Sequence, residues 1–193
     1  MPVIIPADLP AYKTMKDENI FVMSKERAET QDIRPLEIAL VNLMPAKIDT
    51  ETQFVRLLSN SPIQINVEFI HTGTYESKNI SESHMKSFYK SIYEVKNKKY
   101  DGMIITGAPV ELMEFEDVDY WDELKDILDF SYTNVTSAMY ICWGAQAALH
   151  YFYGLNKTEL PAKVFGVFEH EKKHNTCMLL NGFDDIFYVP HSR

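Results

Sequence analysis

Basic residues are in the minority: 19 lysines and arginines against 28 aspartates and glutamates give a formal charge of -9. A face able to follow a phosphate backbone is therefore missing, and nucleic acid is excluded as an expected partner. Long apolar runs are missing too. No stretch is long enough to cross a bilayer, so no membrane partner is expected, and residues 1–15 lack the basic start and continuous apolar segment of a signal peptide. Cysteine is scarce, with only Cys142 and Cys177. Two cysteines without an export signal imply reduced thiols and a cytoplasmic location, although sequence alone leaves a Cys142–Cys177 bridge open. There is no internal repeat and no low-complexity tract. What is present is 46% hydrophobic and 12% aromatic content over 193 residues. That supports a packed core, and the length suits one sizeable α/β domain, with or without an arm.

Residues 1–34 combine proline and charge with no sustained period, and read as an extended N-terminal arm ahead of an α/β domain over 35–193. Leu36 to Val41 forms the first apolar run, broken by Asn42 and Pro45. Thr50 with Gln53 then reads as a capping box opening a helix that buries Phe54, Leu57 and Leu58. Residues 65–70 give a second strand. A helix follows with Met85, Phe88, Ile92 and Val95 on one face. Residues 100–106 give a third strand, whose run Met103-Ile104-Ile105 suits a parallel strand covered on both sides. Trp121, Leu124, Ile127 and Leu128 stripe the next helix, and Val135 to Ile141 reads as a fourth, buried strand. This alternation is the pattern of a doubly wound, mainly parallel sheet. After Gly154 it changes: residues 164–168 and 176–180 read as short strands around a charged turn.

The stretch that organises the chain is Tyr140-Ile141-Cys142-Trp143-Gly144-Ala145-Gln146. A strand precedes Cys142, and Ala145, Ala148, Leu149 and Phe152 follow at helical spacing, with Gly154 at the C-cap. A cysteine on such a turn is in the mechanical position of a nucleophile elbow, with Gly144 where the backbone bends. The helix N-terminus favours its thiolate. The alternative is a core cysteine ending a buried strand. Residues 106–110 (Thr-Gly-Ala-Pro-Val) leave the third strand at the same sheet edge. Backbone N–H groups of Val110 and Trp143 are candidate oxyanion donors, and one such donor contributes about 3 kcal/mol to a transition state. The alternative is an ordinary strand exit in which Gly107 relieves crowding. Glu111 lies just past this loop, as an acyl-site carboxylate or as a surface glutamate. His170-Glu171-Lys172-Lys173-His174 spells the zinc protease pattern H-E-x-x-H, which works only on a helix. Its flanks read as strands, so no metal site is expected.

These motifs together resemble a known family. Ile141 to Gln146 is similar to the nucleophile turn of class I glutamine amidotransferases. The resemblance is closer to the homoserine O-acyltransferases of methionine biosynthesis, acetyl and succinyl users alike. It rests on the opening Met-Pro-Val-Ile-Ile-Pro, Val41 to Pro45, Gly107-Ala108-Pro109, Tyr140 to Gln146 and Pro190 to Arg193. The resemblance implies a flavodoxin-like α/β fold and a homodimer. It also implies ping-pong transfer from acetyl-CoA to L-homoserine through a Cys142 thioester, with acetyl-CoA as co-substrate and no cofactor. It carries homoserine binding to Lys163, Ser192 and Arg193, and acyl-CoA specificity to Glu111. Two like charges about 4 Å apart repel by roughly 4 kcal/mol at an effective dielectric near 20. A succinyl carboxylate beside Glu111 would meet that repulsion, so acetyl is the expected acyl group.

The family's catalytic base is a histidine in a His-x-Glu segment, and no His-x-Glu occurs among the 193 residues. The segment and a further substrate-binding arginine are expected beyond Arg193, in a domain incomplete at its C-terminus, so that this portion alone would not turn over. Of His150, His170, His174 and His191, the last is the best stand-in base. Other readings are a succinyl-CoA user, a hydrolase or amidotransferase of the same architecture, and a non-catalytic module that lacks a base.

Overall fold

A computed structural model describes residues 3–31, 33–73, 80–173 and 177–192. The chain divides into two compact units, Met1–Asn156 and Lys157–Arg193. In the first, parallel strands and helices alternate. They are β1 (Val3–Ile4), α1 (Pro10–Asp17), β2 (Val22–Met23), α2 (Lys25–Ala28), β3 (Leu36–Val41), α3 (Lys47–Leu58), β4 (Ile65–His71), α4 (Glu82–Phe88), β5 (Tyr89–Ser91), α5 (Ile92–Val95), β6 (Tyr100–Ile105), α6 (Trp121–Thr133), β7 (Val135–Tyr140) and α7 (Trp143–Tyr153).

The sheet runs β2-β1-β4-β3-β6-β7, with β5 also pairing β4, and every pairing in it is parallel. From β3 the chain winds one way to β4, then crosses to the other side of β3 for β6 and β7. The winding therefore reverses at the carboxyl ends of β3 and β6, where open α/β sheets form their ligand crevice. Successive residues of a central strand serve opposite faces. Ala39 and Val41 join the cluster containing Met103, Ile105, Leu124, Ile127 and Trp143, while Leu40 joins Met15, Val55, Val67 and Phe69 on the other face. The expected doubly wound, mainly parallel α/β architecture is observed.

Several local expectations need correction. Residues 3–28 are not an extended arm: β1 and β2 widen the sheet, and Ala11 and Met15 of α1 are buried. Two-residue strands are too short to show a period, and Pro10 starts α1, where its missing N–H is harmless. Thr50 does not cap α3, which begins at Lys47. The Thr50 hydroxyl donates back to the Ala46 carbonyl at 2.9 Å, and Leu57 is exposed while Lys47, Glu51 and Val55 form the buried stripe. The helix expected across Met85 to Val95 is interrupted by β5, which takes the end of β4 as its partner, and a Ser91–Glu94 capping box restarts the helix as α5. Strand β7 is only half-covered; among the described strands it pairs with β6 alone. Beside it lies an open apolar cleft of about 650 Å³ lined by Tyr132, Tyr140, Ala145, Leu149, Phe152 and Tyr153.

The second unit is an antiparallel hairpin of β8 (Phe165–Glu171) and β9 (Ile186–Ser192). The strand expected at 176–180 is instead a 3₁₀ turn at Met178–Leu180, and residues 174–176 lie outside the described residues. His170 and Glu171 sit in β8, which removes the helical face that a zinc protease motif requires.

Candidate active site

The cysteine elbow arises from three backbone features. The β6–β7 ladder runs one residue past β7, with the Ile141 N–H donating to the Ile105 carbonyl at 2.9 Å. Cys142 then takes φ 54° and ψ -121°, a conformation that non-glycine residues rarely adopt and that is strained by roughly 1–3 kcal/mol. Its carbonyl accepts the first helical bonds of α7, from the N–H groups of Ala145 and Gln146. The sharp bend therefore falls on Cys142 itself, not on Gly144. Gly144 is needed for closeness: a Cβ there would stand 2.5 Å from the Thr106 carbonyl oxygen. The Cys142 side chain is exposed, and both cysteines are free. The alternative of a core cysteine does not hold.

Trp143 holds the elbow from below. Its indole is 1% exposed and lies among Phe115 and Tyr120, while its backbone N–H opens α7, where first-turn amides lack an intrahelical acceptor. The loop after β6 reaches the cysteine at Gly107, where an added Cβ would lie 3.0 Å from Cys142 Cβ and 3.5 Å from Sγ. Val110 is in the same loop, half-buried against the core. Glu111 follows it in an exposed turn.

The crevice side of this loop is tied to β3. The buried Thr106 hydroxyl accepts from the Leu43 N–H at 2.8 Å and donates to the Gly107 carbonyl at 3.0 Å. Behind Leu43 is a buried polar network that the sequence reading missed. Lys47 Nζ donates to the Asn42 carbonyl at 2.6 Å, and Asn42 Nδ2 donates to the Tyr89 hydroxyl at 2.8 Å. Tyr89 in turn donates to Glu51 at 2.6 Å, and His84 Nε2 lies 3.0 Å from the same carboxylate. Burial lowers the Lys47 pKa to about 8 against the opposing pull of the Glu51 carboxylate. Burial, the Glu51 charge and the bond to it raise the Tyr89 hydroxyl. The available signal was the helical stripe Lys47, Glu51 and Val55, which puts two charges on the inward face of α3.

In the hairpin unit, Ser192 pairs with Phe165, two residues beyond Lys163, so the register brings Lys163 and Ser192 to one end of the ladder. The Lys163 ammonium lies 5.9 Å from the Phe165 ring centroid. Arg193 lies outside the described residues. His191 Nε2 is 2.8 Å from His170 Nε2. His150 stacks on Phe115 at 4.4 Å and meets Glu116 at 3.2 Å, a packing role.

A sequence model of the homoserine O-succinyltransferase family matches residues 2–193. The chain belongs to that family. Within the homoserine O-succinyltransferase family its relatives include the homoserine O-acetyltransferase of Clostridium tetani (strain Massachusetts / E88), 64% identical over 195 residues. The homoserine O-acetyltransferases of Bacillus cereus strains B4264 and AH820 are 58% and 56% identical over 193 residues. All of this chain is covered in each case, and the chain spans 64% of the length of these relatives.

Proposed function

We propose that the protein is the acyl-accepting portion of a homoserine O-acetyltransferase, with Cys142 as its nucleophile. The observation that carries this reading is the exposed sulfur on a strained strand-to-helix turn, with Gly107 against it. In the first half-reaction the Cys142 thiolate attacks the thioester carbonyl of acetyl-CoA. Negative charge gathers on the carbonyl oxygen, facing the amides of Trp143 and Val110, and the coenzyme A thiolate leaves as the carbonyl re-forms. In the second, a base takes the proton of the homoserine hydroxyl. That oxygen attacks the acyl-cysteine, and the Cys142 thiolate leaves. Lys163, Ser192 and Arg193, carried over from the family resemblance, suit the carboxylate and amino-acid polar groups of homoserine. The family resemblance gives that base as a histidine of a His-x-Glu segment, a motif the 193 residues do not contain, and His191 is the stand-in. The reaction so written uses acetyl-CoA as co-substrate and no cofactor.

The relatives' names support acetyl over succinyl, although the family description itself names succinyl, and Glu111 gives the preference a physical cause. Homodimer assembly and a cytoplasmic home are carried into this proposal from the family resemblance. No helix among the described residues is long and apolar enough to cross a membrane. The test is mass spectrometry after incubation with acetyl-CoA. An acetyl adduct on Cys142, lost in Cys142→Ser and released by homoserine once the base is supplied, is the expected outcome. An adduct confined to Cys177, or none, overturns the assignment. Equal acylation by succinyl-CoA overturns the role of Glu111.

A further inference from the structure

We infer that Thr106 is a positioning residue for acyl transfer, aligning the Gly107 loop beside Cys142; the inference rests on the function proposed above. Thr106 sits at the carboxyl end of β6, where the winding of the sheet reverses, and is 2% exposed. Each of its polar atoms has a job. Its N–H donates to the Val41 carbonyl at 3.1 Å, continuing the ladder to β3. Its carbonyl is the atom against which Gly144 packs. Its hydroxyl has one proton. Because the Leu43 N–H donates to that oxygen at 2.8 Å, the proton is directed to the Gly107 carbonyl at 3.0 Å.

This fixes one peptide plane. There are no cis peptides among the described residues, so the Ala108 N–H points opposite to the Gly107 carbonyl. Pinning that carbonyl to Thr106 keeps an acceptor dipole out of the space where negative charge gathers. It also commits the Ala108 N–H to the other side. Glycine offers no Cβ barrier to a flip of this peptide, and Gly107 must lack a Cβ because Cys142 is 3.0 Å away. The restraint therefore has to come from a neighbour, and the Thr106 hydroxyl is the group in place. Through Leu43 the restraint extends to the β3 exit loop, which Asn42 and Lys47 hold.

The test compares Thr106→Val, which keeps the shape and loses the hydroxyl, with Thr106→Ser, which keeps the hydroxyl. Two reactions of Cys142 are followed in the full chain: acylation by acetyl-CoA, which develops an oxyanion, and alkylation by iodoacetamide, which does not. In Thr106→Val acylation is expected to slow by about 10- to 100-fold with alkylation changed less than about twofold, and Thr106→Ser is expected to recover most of the loss. Equal acylation in wild type and Thr106→Val, or acylation and alkylation falling together, overturns the inference. If wild type itself is not acylated, the proposed function falls instead. Amide exchange then reads the restraint alone: faster exchange at Leu43 and Ala108 in Thr106→Val, with Met103 and Ile105 unchanged, is expected, and unchanged exchange overturns it.

Discussion

The loops leaving β3 and β7 end at the same rim of one sheet, yet they are fixed by opposite means. At the β3 exit, Asn42 and Glu51 are fully buried, and Asn42, Lys47, Glu51, His84 and Tyr89 close a hydrogen-bonded network. At the β7 exit the holding forces are steric: a positive φ at Cys142, a glycine jammed against a carbonyl, and a buried indole whose N–H has no hydrogen-bond partner among the described residues. The first loop has its polar groups matched inside the protein. The second keeps the Cys142 thiol open to solvent and stores strain in the backbone. The nucleophile proposed for Cys142 would need an unfilled side facing its substrate, so rigidity there has to come from the main chain.

Substitutions at each exit test this contrast. Gly144→Ala places a methyl group 2.5 Å from the Thr106 carbonyl, and backbone at both sides leaves little to yield. Loss of about 3 kcal/mol or more is expected in chemical denaturation, with Cys142 alkylation slowed as the elbow shifts. A loss under about 1 kcal/mol would mean that the elbow is pliable and the contrast overstated. Glu51→Gln, at the other exit, leaves the Lys47 ammonium buried without its counter-charge, and about 2–3 kcal/mol is expected to be lost while alkylation stays near wild type.

Lys47 gives a pH signature at the same exit. Its folded pKa is about 8, below the ordinary 10.5, so between those values the unfolded chain binds more protons. Stability contributed by this site therefore rises with pH across that window, by about 2 kcal/mol between pH 8 and 10. Wild type should gain on Lys47→Met over that interval; parallel curves would mean that Lys47 is well solvated. The smallest effect sharpens the comparison at the elbow. Cys142→Gly removes the proposed nucleophile and relieves the positive φ, so the protein should be about 1 kcal/mol more stable and unable to form the proposed thioester.

The elbow was legible in the sequence because its signals are local. A short apolar run, a lone cysteine, Gly144 and a helical stripe ending at Gly154 fall within twenty residues, and the structure keeps them in that order, with Gly154 left-handed at φ 65°. What stayed hidden depends on distant partners. β1 and β2 are two residues long and owe their form to the edge of β4. Tyr89–Ser91 has helical spacing around it yet is drawn into the sheet by Phe69 to His71. The partner of β8 lies beyond an intervening turn, at Ile186–Ser192. The Thr106 hydroxyl carries no spacing signal, since its partner Leu43 is 63 positions away.

The uncovered flank of β7 has a consequence for work at the bench. Met139, Leu149, Tyr132 and Tyr153 are 62%, 45%, 82% and 74% exposed, alongside a strand that pairs with β6 alone among the described strands. The margin of such a strand templates its own kind. Concentrated stocks of this polypeptide will therefore tend to clump along that side. Kinetics read from them will drift with dilution unless a lysine is placed at Met139.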